Sequence, residues 1–141
     1  MKPLGRNFEK WFLAEAKKVE GIWVYQFPDM VHWGPRVLWI PQPADFLILT
    51  DKSKLLLELK STKDNTFTKS RVKSGQISSL SSFHNSTKNA LGFFCIYFQT
   101  FDKFIWIDAK NYETAPPTIS IGHALMLGKE VTNLGTFLID Y

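Results

Sequence analysis

The chain has 141 residues, of which 45% are apolar and 15% aromatic, so it can bury a core and is too hydrophobic for intrinsic disorder. Its net charge of +4 suits a polyanionic partner, although many soluble proteins are equally basic. The single cysteine excludes an intrachain disulfide, no apolar stretch reaches eighteen residues, and the N-terminus lacks a signal-peptide core. We therefore expect one soluble, cytoplasmic domain over residues 1–141.

The first half of the chain predicts a helix followed by three strands. Apolar residues recur at helical spacing over residues 7–19, and residues 22–27 then predict a short strand. Residues 28–43 contain four prolines and predict a long excursion. Two apolar runs, 44–50 and 54–61, are separated by a short polar segment, which predicts a β-hairpin.

The second half predicts a basic loop, a second helix, a central strand covered on both faces, one further strand, and a tail with short strand-like pieces. In chain order these are residues 62–73, 75–88, 91–100, 103–108, and 118–121 with 136–139. The order helix, three strands, helix, strand predicts an α/β fold in which helices flank a mixed β-sheet.

Three charged residues of the predicted hairpin form the strongest candidate site. Asp45 opens the first strand, while Glu58 and Lys60 lie on one face of the second strand, and pairing of the strands brings them together. Two carboxylates, with the carbonyl of Leu59, can hold a hard cation such as Mg²⁺, and Lys60 can polarise water or stabilise transition-state charge. Each residue alone is more often a turn residue or part of an exposed ion pair. Together they predict phosphodiester hydrolysis.

A basic segment follows this site. Between Lys52 and Lys73 the chain has seven basic residues and two acidic ones. Such a segment is either a solvated loop or a surface that binds phosphates, and its position beside the acidic residues favours the second interpretation. The residues from which we expect DNA contacts are Arg6, Lys63, Thr66, Lys69, Arg71 and Lys73.

Pro43-Ala44-Asp45, followed by Glu58-Leu59-Lys60 thirteen positions after Asp45, resembles the signature of PD-(D/E)XK nucleases. Several other segments are similar to those of RecU-type Holliday junction resolvases. These are the Gly-Arg-Asn-Phe-Glu stretch at residues 5–9, Gln76 at the start of the second helix, the apolar runs 93–98 and 104–106, and residues 119–122. The resemblance spans residues 5 to about 122 and implies a restriction-endonuclease-like fold with core order αβββαβ.

The resemblance also implies an activity and a role for each residue. It implies a homodimer that uses Mg²⁺, or Mn²⁺ in its place, to cut opposed strands of four-way DNA junctions during recombination and repair. Asp45 and Glu58 would be metal ligands, and Lys60 the water-activating or electrostatic catalyst. Glu9 would add an acidic group at the metal, and Gln76 would orient the water or the scissile phosphate. From the residues alone, Glu9 is explained equally well as an acid favoured in the first turn of a helix.

One departure concerns residues 28–43, which are shorter than the stalk of RecU-type enzymes. Trp33 and Trp39 leave three roles open for this excursion: a trimmed stalk that wedges against unstacked bases, a dimer interface, or a loop that covers the core. The small size is similar to that of phage or archaeal resolvases. Two alternatives to junction resolution also remain: a restriction- or repair-type endonuclease acting on linear duplex, and a non-catalytic junction-binding protein.

Overall fold

The computed structural model describes residues 7–28, 30–39 and 41–141, and within these all side chains except those of residues 30–33 and 38–39. The helices are α1 (Asn7–Lys17), α2 (Ser74–Phe83), α3 (Ala109–Thr114), α4 (Ile121–Leu127) and α5 (Leu134–Leu138). The strands are β1 (Trp23–Gln26), β2 (Met30–Trp33), β3 (Arg36–Trp39), β4 (Phe46–Leu49), β5 (Lys54–Thr62), β6 (Thr66–Thr68), β7 (Ala90–Phe98), β8 (Lys103–Asp108), β9 (Thr118–Ser120) and β10 (Lys129–Glu130). Within these described ranges, no helix has both the length and the apolar character to cross a bilayer.

Six strands form one mixed sheet in the order β1-β4-β5-β7-β8-β10. Its neighbouring strands are antiparallel except β5 and β7, which run parallel. A parallel pair requires a crossover connection, and the crossover here carries α2. Two small two-stranded sheets, β2–β3 and β6–β9, lie outside this sheet. The core order α1, β1, β4, β5, α2, β7 confirms the predicted succession of elements.

Apolar side chains cover both faces of the central sheet. In the first core cluster, Phe8 and Phe12 of α1 pack on the sheet together with residues of α5. In the second cluster, α2, α3 and α4 pack on the opposite face. Successive residues of β5 alternate between the clusters, because Leu57 belongs to the first and Leu56 to the second. By the same alternation Glu58 and Lys60 lie on the face of the second cluster.

The basic loop and the excursion are more structured than the sequence predicted. Within residues 62–73, β6 pairs with β9, and Lys69–Arg71 form a short 3-10 helix. The excursion over residues 28–43 contains the β2–β3 hairpin. The second helix was predicted over 75–88 but ends at Phe83, where Asn85 then adopts a left-handed backbone conformation.

The tail differs most from the prediction. Residues 136–139 were expected to be strand-like, but α5 covers most of them. The side chain of Asn133 caps this helix by accepting a hydrogen bond from the N–H of Thr136 at 2.9 Å. Leu134 and Leu138, one helical turn apart, both enter the first core cluster. The helices α3 and α4 and the strand β10 were also not predicted.

Gly92 generates the first testable prediction, because α2 lies directly against it. A Cβ at this position would lie 2.7 Å from the carbonyl oxygen of Leu80, so Gly92→Ala should force α2 away from β7. We expect a loss of roughly 1–3 kcal/mol in the free energy of unfolding, measured with urea. Gly75→Ala is the matched control, since a Cβ there meets nothing within 4 Å and alanine favours the helix. Equal stabilities of the two variants would contradict this packing.

Candidate active site

Strand pairing fixes the backbone of Asp45 on both sides. Its N–H donates to the carbonyl of Leu57 and its own carbonyl accepts from the N–H of Phe27, both at 2.9 Å. The register of β4 and β5 pairs Phe46 with Leu57, and the N–H of Asp45 also bonds to Leu57, so Asp45 lies at the start of this pairing, next to Glu58. The carboxyl groups of Asp45 and Glu58 lie close enough to share a hydrogen bond when one of them is protonated.

Glu58 is held in place by the first turn of α2. Its side chain is only 1% exposed, and the Nε2 of Gln76 donates to its Oε1 at 2.8 Å. The Oε1 of Gln76 accepts from the backbone N–H of Lys73 at 3.3 Å, which caps the helix at the same time. Gln76 therefore couples the start of α2 to the position of a buried carboxylate.

The environment of Asp45 favours its protonated form when no cation is present. Burial is the main cause that raises its pKa from 3.8 to about 7, and the negative charge of Glu58 and the hydrogen bond with Glu58 add to the rise. Two contacts of Asp45 lower its pKa: the N–H of Leu59, which donates to Oδ2 at 2.7 Å, and a hydrogen bond with Glu9. Two carboxylates in contact therefore need a proton or a cation between them.

The structure brings Glu9 to this pair of carboxylates. Glu9 lies in the first turn of α1, is half-buried, and makes its hydrogen bond to the side chain of Asp45. Sequence reasoning could not separate this placement from the ordinary preference of an acid for a helix N-terminus. Its role as a metal ligand stays a prediction.

Leu59 and Lys60 complete the predicted set. In an extended strand a residue's N–H and C=O point to the same side, so the carbonyl of Leu59, like its N–H, faces the side of β4 on which Asp45 lies. Lys60 is half-buried on the same sheet face as Glu58 and makes no hydrogen bond or ion pair with the described part of the chain. Both placements agree with the roles predicted for these residues, which stay predictions.

The residues present fit a hard divalent cation. Over the described ranges, no group of three or more His, Cys, Asp or Glu side chains is arranged to hold a metal ion. Asp45, Glu58, the Leu59 carbonyl and water molecules would nevertheless form an all-oxygen ligand set, and Mg²⁺ characteristically keeps several waters. A cation would also relieve the repulsion by Glu58 that raises the pKa of Asp45.

Two buried groups that the sequence did not indicate are affected by the negative charge of the carboxylates. Burial, and then the negative charge of Glu58, raises the pKa of the Tyr112 hydroxyl, whose ring stacks on Phe94 with centroids 3.8 Å apart. Burial, and then the charges of Asp45 and Glu58, raises the pKa of the Cys95 thiol. Both groups therefore stay neutral at physiological pH. Tyr112 lies 54 positions after Glu58, and no local pattern indicates that the two meet.

The predicted DNA contacts differ in how freely they could reach a phosphate. Lys63, Arg71 and Lys73 are exposed, and Thr66 is half-buried. The Nζ of Lys69 instead donates to the carbonyls of Glu113 and Ala115 at the end of α3, at 3.3 and 2.9 Å. This position favours a structural role for Lys69. Arg6 and the side chains of Trp33 and Trp39 lie outside what the structure describes.

Comparisons with known proteins identify the fold. No family model and no curated protein matches the chain. Among solved structures, it is similar to Hjc, a Holliday junction resolvase from the archaeal hyperthermophile Archaeoglobus fulgidus, with a TM-score of 0.61 and 18% identity. The match covers 89% of this chain and 95% of that one. The chain therefore has the mixed α/β, restriction-endonuclease-like fold that its sequence predicted, while the RecU-type relationship and a phage origin stay predictions.

The raised pKa of Asp45 predicts that the metal-free protein loses stability as the pH rises. Because the folded state binds this proton more tightly than the unfolded state, the contribution is fully present below pH 3.8 and is lost as the pH rises through about 7. Asp45→Asn cannot ionise but can still accept from Leu59. As the pH rises from 4 to 7, the free energy of unfolding of this variant, measured with urea in EDTA, should therefore increase relative to that of the native protein. A constant difference across this range would contradict the assignment.

Gln76 gives a second prediction for the site. Gln76→Ala removes the donor that holds Glu58, so the affinity of the carboxylates for a divalent cation such as Mg²⁺ should fall about 10- to 100-fold. Ser78→Ala, an exposed change in the same helix, is the matched control and should leave this affinity unaltered. The measurement is a calorimetric titration of the metal-free protein with Mg²⁺. An unchanged affinity in Gln76→Ala would contradict this role of Gln76.

Proposed function

We propose that this protein is a Mg²⁺-dependent endonuclease that resolves four-way DNA junctions by paired, symmetric cleavage. The observation that carries the proposal is the contact between Asp45 and buried Glu58, with Lys60 on the same sheet face. The fold supports it, because the similar solved structure is that of a Holliday junction resolvase. Mn²⁺ should substitute for Mg²⁺, since it accepts the same oxygen ligands.

The residues of the site have separable roles in this proposal. Asp45, Glu58 and the carbonyl of Leu59 hold the cation, which when bound activates water and neutralises charge on the phosphate. Gln76 keeps the carboxylate of Glu58 oriented, and Glu9 shares a hydrogen bond with Asp45. The ammonium group of Lys60 stabilises the negative charge that develops on the scissile phosphate or orients the attacking water.

We further propose that the active form is a homodimer. A four-way junction has approximate two-fold symmetry, and its resolution needs two cuts at symmetric positions. One site in each protomer, related by a two-fold axis, provides that arrangement. Sedimentation of the protein alone and with junction measures this directly.

The activity is tested by incubating the protein with a four-way junction, a linear duplex and a single strand, in Mg²⁺, in Mn²⁺ and in EDTA. We expect paired symmetric nicks in the junction alone, with either metal, and none in EDTA. Equal cutting of linear duplex would instead indicate a restriction- or repair-type endonuclease. Retention of the junction in a gel without cleavage in any metal would indicate a binding protein.

Substitution of the carboxylates should separate binding from cleavage. Asp45→Asn and Glu58→Gln should each reduce cleavage more than about 100-fold, because loss of a ligand costs more than loss of a group that only orients one. Junction affinity should remain within about twofold, since phosphate contacts supply most of it. Glu15→Gln, at a surface carboxylate paired with Lys18 at 3.1 Å, is the control and should cut normally. Loss of junction binding together with cleavage would refute the assigned roles.

Junction binding should weaken steeply with salt, because each phosphate contact releases counterions. Arg71→Ala and Lys73→Ala should each reduce the slope of log affinity against log salt by about one. Lys18→Ala, at an exposed lysine that directly follows α1 on the other face of the sheet, is the control and should leave the slope unchanged. Equal slopes for all of these proteins would show that the segment around α2 does not contact DNA.

A further inference from the structure

Three aromatic side chains alternate along β1 and the residue that follows it. The rings of Trp23 and Tyr25 are nearly parallel, at 7° with centroids 5.9 Å apart, and Tyr25 meets Phe27 edge to face at 5.1 Å. We call these three residues the aromatic row. Trp23 is 54% exposed and Tyr25 42% exposed, so large apolar ring surfaces face the solvent.

The aromatic row lies on the same sheet face as the candidate active site and begins beside it. Tyr25 pairs with Leu47 across β1 and β4, and both Leu47 and Phe27 pack against the second core cluster, on the face that carries Glu58. The N–H of Phe27 is bonded to the carbonyl of Asp45. At about 3.3 Å per residue, the row extends roughly 13 Å from Asp45 along the edge of the sheet.

Among the described residues, no helix covers this part of the sheet face, and the rings of Trp23 and Tyr25 stay exposed. Helix α2 packs on β5 and β7, whereas α1 contacts β1 from the opposite face, where Val24 joins the first core cluster. Leu49, the partner of Trp23 in the strand register, is 37% exposed and extends the apolar surface.

Charge around the aromatic row favours a polyanion. Lys54 pairs with Leu49 at the far end of the row, and exposed Lys52 follows Asp51 in the adjoining turn. Lys60 lies on the same sheet face near Asp45. A chain with phosphates on one side and flat apolar groups on the other matches a surface of this kind.

We propose that the aromatic row binds the unpaired bases of a DNA strand whose phosphate lies at Asp45 and Glu58. This inference rests on the proposed function, and it names the substrate class: DNA with a few unpaired nucleotides next to the scissile phosphate, such as an opened branch point. Every base offers a flat face to a ring, so stacking tolerates any sequence. The length of the row corresponds to about four nucleotides at the 3.4 Å spacing of a B-form strand, and fewer in an extended one.

The exposed area argues for bases rather than a second copy of the chain. About half of one tryptophan and two fifths of one tyrosine amount to roughly 200 Å² of open ring surface. A stable dimer covers about 800 Å² on each partner. The aromatic row alone is therefore too small for a stable interface, but it is large enough for two or three bases.

The test measures binding without cleavage, on the full chain in EDTA, with fluorescent oligothymidine and with blunt duplex as probes. A Trp23→Leu/Tyr25→Leu variant keeps apolar side chains but loses both ring faces, and a Trp23→Phe/Tyr25→Phe variant keeps rings. Each lost stack weakens binding roughly 5- to 150-fold. We therefore expect the leucine variant to bind oligothymidine at least tenfold more weakly, with duplex affinity unchanged. The phenylalanine variant and Met126→Ala, at an apolar residue 84% exposed on α4, should bind as the native protein does.

Three outcomes would overturn the inference: no binding of oligothymidine by the native protein, equal binding by the leucine variant, or a change of its sedimentation from dimer to monomer. Urea unfolding curves check that both double variants fold. Because the binding assay needs no metal, it is independent of the proposed activity. Binding through the aromatic row without cleavage in Mg²⁺ would refute the nuclease and uphold only the assignment of unpaired bases to the aromatic row. Junction cleavage by the native protein, together with unchanged oligothymidine binding by the leucine variant, would uphold the nuclease and refute the inference about the aromatic row.

Discussion

The contact between the carboxyl groups of Asp45 and Glu58 is the constraint on which the rest of the site depends. Strand pairing leaves them no room to separate, because the backbone of Asp45 is bonded to Leu57 on one side and Phe27 on the other. Burial removes the water that would otherwise screen their repulsion. The protein compensates only partly, through the N–H of Leu59 and the amide of Gln76. A site that holds unbalanced negative charge in this way is prepared to take up a cation.

Two helices, α1 and α2, reach the site from their first turns. Glu9 reaches Asp45 from the first turn of α1, and Gln76 reaches Glu58 from the first turn of α2. Unpaired N–H groups at a helix N-terminus favour nearby negative charge. The position of α2 follows from the topology, since the parallel pairing of β5 and β7 requires a crossover at this point. The connections of the fold therefore bring Asp45 and Glu58 together and also place beside them the groups that stabilise their charge.

The sequence predicted those parts of the molecule whose signals are local. The hairpin that joins Asp45 to Glu58 could be identified because two apolar runs flank a short polar turn, and α1 because its apolar residues repeat at helical spacing. The short helices α3, α4 and α5 could not, since each is stabilised by a side-chain cap and by packing on the sheet rather than by its own periodicity. Tyr112 was missed for the same reason, because only the tertiary fold brings α3 to Glu58. The aromatic row does have a local signal, the alternation of aromatic residues from 23 to 27, but the sequence does not show which face of the sheet is left open.

The two parts of this sheet face differ in how they are covered, and the difference suits the proposed nuclease. Where α2 packs, Glu58 and Tyr112 are almost fully buried, so charges interact strongly and water is limited. Where β1 forms the edge, Trp23 and Tyr25 remain exposed. A substrate strand could not enter a fully covered face, and a fully open one would screen the carboxylates. Asp45 lies at the boundary between the two parts, half-buried, which is where a scissile phosphate can meet both an open path and a desolvated charge.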